Sequence, residues 1–233
     1  MSGVSAHPSP TALAGPSSEF GRGGAEPYDL SLRAGGGVLT LHSDDRGAGS
    51  SATLDVGSYL GPATESERRV LAQTDGPLLD VGCGPARIVR AAIEAGRLAL
   101  GVDISRAAVE HARSRGLPVL RRSVFDQLPA EGTWGAVALF DGNIGIGGDP
   151  RSLLARCSSV LRSGGTMIVE THTDATRESR FSAQLVHSTG ARSDWFPWAE
   201  AGEHAVTSIV SDLRMNATSL TVGGRTFVLA SRR

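Results

Sequence analysis

From Pro77 onward, short apolar runs near 78–82, 98–102, 117–121, 134–140 and 165–170 alternate with stretches of helical periodicity near 87–95, 105–115 and 150–162. Central parallel strands are covered on both faces and read as continuous apolar runs, and each pair needs a crossover, so this alternation predicts a parallel sheet wrapped by helices. A long irregular segment follows, then a helix near 199–213, then "MNATSLTVGGRTFVLAS", where Val222-Gly223-Gly224-Arg225 between two alternating runs signals a tight hairpin. Upstream, Thr64 stands three residues before Glu67, the capping-box spacing that starts a helix. From Tyr28 to His42 apolar and polar residues alternate on both sides of a glycine cluster, which suggests a hairpin or a loose cap. The chain thus divides into a disordered tail over 1–26, rich in Ser, Pro, Gly and Ala, a cap or hairpin region over 27–63, and one domain over 64–233.

Composition removes several functions. With 23 basic and 24 acidic residues the net charge is -1, so no electrostatic footprint for a phosphate backbone or an anionic membrane exists, and neither nucleic acid nor membrane is an expected partner. All 23 basic residues are Arg. The absence of Lys excludes a Walker-type phosphate loop, a pyridoxal Schiff base and a lysine base. Cys83 and Cys157 form no CxxC pair, the six His show no metal-binding spacing, and no signal peptide is visible, so a cytoplasmic protein without a metal is expected.

The chemistry concentrates in "LLDVGCGPARIV", residues 78–89, a strand that runs through a glycine loop into a helix. In open α/β sheets that loop meets the ligand, and an acid about 20 residues on, here Asp103, sits where a carboxylate accepts both hydroxyls of a ribose. A dinucleotide loop wants GxGxxG, but its last place is Arg87. Asp80 puts a carboxylate near where a pyrophosphate would lie, which disfavours that anion and favours a cation such as a sulfonium or an amino group.

These residues resemble the class I S-adenosylmethionine-dependent methyltransferases, over about 77–233, in "LLDVGCGPAR", Asp103, "SVFDQLP", "DGNIGIGGDP" and "LRSGG". The resemblance implies a Rossmann-like, seven-stranded sheet ending in an antiparallel strand, S-adenosyl-L-methionine as cofactor, and methyl transfer to a small-molecule acceptor. It further implies that Asp80, Gly82, Cys83 and Gly84 line the methionine moiety, that Asp103 with Ile104 holds ribose, that Ser123 and Val124 flank adenine, and that Asp141 and Gly142 border the methyl side. Two places depart from the pattern: Ala86 replaces a third glycine, which a negative φ would accommodate, and either Ser123 or Asp126 takes the contact to the adenine amino group. Asp141 and Asn143 could reach an acceptor, and "DWFPWAE" (Trp195, Phe196, Trp198) is either lid packing or an apolar acceptor pocket. Methyl transfer is an in-line displacement that depends on positioning; a base is needed only if the acceptor must lose a proton, and His172, Glu170 and Asp141 are the candidates. The competing readings are a nicotinamide-dependent oxidoreductase and a non-catalytic cofactor-binding regulator.

Overall fold

The structure is a computed structural model and describes Phe20, residues 26–44 and residues 52–233. In chain order its elements are α1 (Pro27–Arg33), β1 (Val38–Ser43), β2 (Ala52–Asp55), α2 (Val56–Leu60), α3 (Glu65–Leu71), β3 (Leu78–Val81), α4 (Arg87–Glu94), β4 (Ala99–Asp103), α5 (Arg106–Ser114), β5 (Val119–Arg121) and β6 (Trp134–Leu139). A kinked 3-10 turn (Asn143–Gly148) leads to α6 (Pro150–Val160), β7 (Leu161–Glu170), β8 (Glu178–His187), β9 (Phe196–Ala201), α7 (Glu203–Asp212), β10 (Asn216–Val222) and β11 (Arg225–Ser231).

The main sheet has seven strands in the order β10-β11-β7-β6-β3-β4-β5. All neighbours from β5 to β7 are parallel, whereas β11 runs antiparallel to both β7 and β10. This is the doubly wound, mostly parallel seven-stranded sheet with an antiparallel C-terminal hairpin that the family resemblance implies, and its parallel core is the one the apolar pattern predicts. Every residue of β3 and of β6 is buried, which is why both appear as unbroken apolar runs. Strand order reverses between β3 and β6, so the crevice beyond their carboxyl ends is where such a sheet binds ligands.

A second sheet, ordered β2-β1-β8-β9 and antiparallel throughout, joins the N-terminal segment to the stretch after β7. Two expectations are corrected here. The stretch from Tyr28 is helix α1, not the first strand of a hairpin: Pro27 occupies its first turn, and Tyr28, Ser31 and Leu32 are buried on one helical face while Leu30 faces out. The segment expected to be irregular contains β8 and β9, and the helix expected near 199 begins only at Glu203, after Gly202. The core of this cap, including Tyr28, Leu32, Leu39, Leu185, Phe196 and Trp198, packs on Ala107 and Ala108 of α5. The cap is therefore seated directly over the ends of the parallel strands. Of the expected tail, Phe20 packs into the cap aromatics; residues 1–19 and 21–25 lie outside the described residues.

Candidate cofactor and acceptor site

Between the cap and the carboxyl ends of the parallel strands lies a cavity of about 860 Å³, near the upper end of the roughly 300–1,000 Å³ of small-molecule sites. Gly82, Cys83, Gly84, Asp103, Ile104, Ser123, Val124, Asp141, Gly142 and His172 all line it, so ten positions singled out in the sequence converge on one space. Asp80 and Asp126 are not on the lining. Asp80 is buried behind the loop, and the Asp126 carboxylate instead accepts from the Ser123 amide at 3.2 Å, shaping the turn that presents Ser123 and Val124.

The glycine loop is clamped from two sides. Gly84 has φ +52°, and a Cβ there would lie 2.9 Å from the Tyr28 hydroxyl, so the cap reaches onto the loop backbone. Asn143, from the turn after β6, donates its side-chain amide to the carbonyls of Val81 and Gly82 at 2.8 and 3.0 Å. Asn143 thus holds two loops together. Ala86 adopts φ +71° rather than the negative value expected of a residue with a Cβ, and its buried methyl group is tolerated in the left-handed region as the residue before α4.

Asp103 closes β4 with one oxygen accepting from the Gly84 amide and the other from the Ser105 amide, both at 2.7 Å. Each oxygen keeps a further lone pair for a ligand. Burial pushes its carboxyl above the usual range, against the pull of those two amides. Asp29 of α1 reinforces the same corner by accepting from the Ser105 hydroxyl at 2.6 Å, so helix α1 and its Tyr28 are docked on the turn that follows Asp103. No sequence pattern singles out Tyr28 or Tyr59, yet both line the cavity.

The floor is an ion network. Arg87 pairs with Glu67 at 2.7 Å and with Asp141; Arg225 pairs with Glu170 at 2.6 Å, Glu67 at 2.9 Å and Asp141 at 3.3 Å. The Tyr59 ring covers the Arg87 guanidinium at 5.4 Å. Arg87 therefore replaces the last glycine of a dinucleotide loop with a side chain that spans α3, α4 and the β6 loop. Its Nη1 has no hydrogen-bond partner among the described residues. Burial alone would raise the Glu67 carboxyl, but the Arg87 hydrogen bond and charge, followed by Arg225, hold it down to about 2. Burial drives Asp80 the other way, up to about 8 even with Arg87 nearby, and its Oδ2 is buried with no partner among the described residues.

The depressed Glu67 carboxyl makes acid stability testable. Its ordinary value is 4.5, so the stabilisation is complete above that pH and is lost as pH falls from about 4.5 towards 2, at a scale of about 3 kcal/mol. Thermal melts from pH 6 to pH 3 should show a large gap between wild type and Glu67→Gln that narrows as pH falls. A gap independent of pH would mean that Glu67 acts by packing rather than charge.

His172 sits beyond β7, its backbone amide bonded to the Ala201 carbonyl at 2.8 Å, and its Nδ1 accepts from the Asp174 amide at 3.0 Å. In the neutral ring the proton then resides on Nε2, so the imidazole is set as a donor. Of the aromatic run, Trp198 lines the cavity, Phe196 is buried behind it, and Trp195 is exposed.

This geometry, a glycine loop tied to a buried carboxylate at the switch point of a seven-stranded, doubly wound sheet, defines a Rossmann-like domain. Residues 78–165 match the family described as "Methyltransferase domain". A curated relative, the ubiquinone biosynthesis O-methyltransferase of Methylococcus capsulatus, is 33% identical over 100 residues, covering 40% of this chain and 42% of that protein. The chain thus matches less than half the length of this relative. Among solved structures, a SAM-dependent methyltransferase from Bacteroides fragilis in complex with S-adenosyl-L-homocysteine superposes with a TM-score of 0.73 at 18% identity, covering 88% of this chain and 94% of that one. DesVI of Streptomyces venezuelae superposes at 0.52 with 16% identity over 71% and 87%. The chain carries a methyltransferase domain with the class I, S-adenosylmethionine-dependent methyltransferase fold.

Proposed function

We propose that this protein binds S-adenosylmethionine in the cavity and transfers its methyl group to a small-molecule acceptor. The observation that carries the reading is Asp103: a carboxylate fixed by the Gly84 and Ser105 amides, with spare lone pairs at the wall of a cavity that begins at the glycine loop. Bound adenosylmethionine would supply an electrophilic methyl group on a sulfonium. Asp103 would accept from the ribose hydroxyls, the Ser123–Phe125 turn would flank the adenine, and Arg87 would meet the methionine carboxylate. Asp80, with its unpaired oxygen behind the loop, would ionise as the ammonium and the sulfonium arrive and so favour them. Tyr28 reaches from the cap aromatics to the Gly84 backbone and so stands between the cofactor loop and the rest of the cavity.

For the transfer itself the chain contributes position and the exclusion of water, and in-line positioning can lower a barrier by about 7–11 kcal/mol. Asp141 is committed to Arg87 and Arg225, and its backbone amide donates to Glu170 at 2.6 Å, so it holds the network rather than accepting a proton from the acceptor. His172 serves as a donor that orients an acceptor oxygen. The cap over the cavity favours an acceptor small enough to be enclosed, and solved neighbours include a sugar N-methyltransferase from Streptoalloteichus, so both oxygen and nitrogen acceptors belong in a screen. The test is calorimetry with adenosylhomocysteine and with NADH. Saturable binding of the first alone is expected; binding of NADH in its place would return the oxidoreductase reading, and cofactor binding without turnover on any acceptor in cell extract would favour a regulator.

A further inference from the structure

On the cap side of the cavity three aromatic side chains stand together, Tyr28 nearest the glycine loop, with its hydroxyl against the Gly84 backbone. The Phe20 ring lies 5.0 Å from that of Trp198 and 5.8 Å from that of Tyr28, centroid to centroid, and all three residues line the cavity. Phe196, almost fully buried, backs them edge-on at 5.2 Å from Phe20 and 5.9 Å from Trp198. The wall is held in register with the methyl-side loop: Gly145, two residues after Asn143, presses so closely on the indole that a Cβ there would lie 2.4 Å from Trp198 Cε2. The cluster is therefore fixed relative to Asn143 and, through it, to the glycine loop.

Its polar complement is a set of donors. The Tyr28 hydroxyl and the Trp198 indole N–H make no hydrogen bond with another described residue, although such groups usually find a partner when buried. His172 Nε2 carries the proton because Nδ1 accepts from Asp174. Aromatic faces and edges favour a flat π-system, and donors without partners favour oxygen acceptors on its rim.

Building on the adenosylmethionine reading, we propose that Phe20, Tyr28 and Trp198 wall an acceptor subsite for a planar aromatic ring bearing oxygen, with His172 donating to that oxygen. Phe20 is the specificity-determining residue, because its ring contributes to the wall from outside every helix and strand.

Two titrations separate this inference from the reading on which it rests. Adenosylhomocysteine alone reports on the cofactor site. The acceptor side is probed with 2-naphthol and its ring-saturated counterpart decahydro-2-naphthol, similar in size and both carrying one hydroxyl, each with and without adenosylhomocysteine. The expected result is preferential binding of 2-naphthol, a roughly threefold to tenfold loss in Phe20→Ala, and a similar loss in Phe20→Leu, which keeps apolar bulk but removes the ring. Equal affinity for the two naphthol probes would overturn the proposal even where adenosylhomocysteine binds well. Tighter 2-naphthol binding in Phe20→Ala would also overturn it, by showing that Phe20 fills the subsite instead of lining it. Failure of adenosylhomocysteine to bind would strike the cofactor reading, whichever way the naphthol pair behaves.

Discussion

In an Asp103→Ala protein, adenosylhomocysteine is expected to bind at least roughly 10-fold more weakly, and up to about 150-fold for each ribose hydrogen bond removed, because a hydrogen bond to a charged group is worth about 1.5–3 kcal/mol. Weaker affinity alone would be ambiguous. The same carboxylate holds the Gly84 and Ser105 amides, so its removal also loosens the glycine loop. The ribose interaction is isolated by repeating both titrations with 2′-deoxy-adenosylhomocysteine. Wild type should discriminate against the deoxy ligand, and Asp103→Ala should lose most of that discrimination, since the hydroxyl no longer has its acceptor. Discrimination that survives undiminished would assign the ribose to another group, and the cofactor would then lie in the cavity in a different orientation.

Asp103 and the glycine loop are legible from sequence because their information is local. An apolar strand, two glycines and an acid at a fixed interval each leave a mark within about 25 residues. The cap is not. Strand β1 pairs with β8 across the chain, His42 opposite Gln184, and nothing in either stretch specifies the other as its partner. Helix α1 has the pattern of a strand because Tyr28, Leu30 and Leu32 alternate as a strand would, although polar Asp29 and Ser31 are buried with Tyr28 and Leu32 while Leu30 is exposed. With the cap hidden from local patterning, the contributions of Tyr28, Tyr59 and Phe20 to the cavity are hidden too.

The ion network does leave a signal in the sequence. Arg87 opens α4, where the helix dipole disfavours a positive charge, so an arginine there needs carboxylates from elsewhere. Glu67, Asp141 and, through Arg225, Glu170 supply them from α3, the β6 loop and β7. Only the folded chain shows which acids these are. The cost of the arrangement is a net negative floor: three carboxylates face two guanidiniums, and Asp80 behind them cannot easily ionise until a cation arrives.

The buried Asp80 gives cofactor binding a thermodynamic signature. With its carboxyl pushed up to about 8 by burial, Asp80 is mostly protonated at pH 7 in the free protein. A ligand bringing an ammonium and a sulfonium into the cavity favours the ionised form, so binding should release close to one proton at pH 7. Adenosylhomocysteine, which lacks the sulfonium charge, should release less. Ionising Asp80 at pH 7 costs about 1.4 kcal/mol, while a charge pair about 5 Å apart at an effective dielectric of about 20 gains about 3 kcal/mol. The net of about 2 kcal/mol corresponds to roughly a 30-fold loss of adenosylmethionine affinity in Asp80→Asn. The ratio of wild-type to Asp80→Asn affinity should rise as pH increases from 7 towards 9, by up to about 10-fold as the deprotonation cost disappears, because the ligand's own amino-group ionisation acts on both proteins alike. Calorimetry in buffers of different ionisation enthalpy measures the proton count directly. Binding with no proton release in wild type, or with the same release in Asp80→Asn, would show that the unpaired carboxyl behind the glycine loop does not respond to the cofactor's charge.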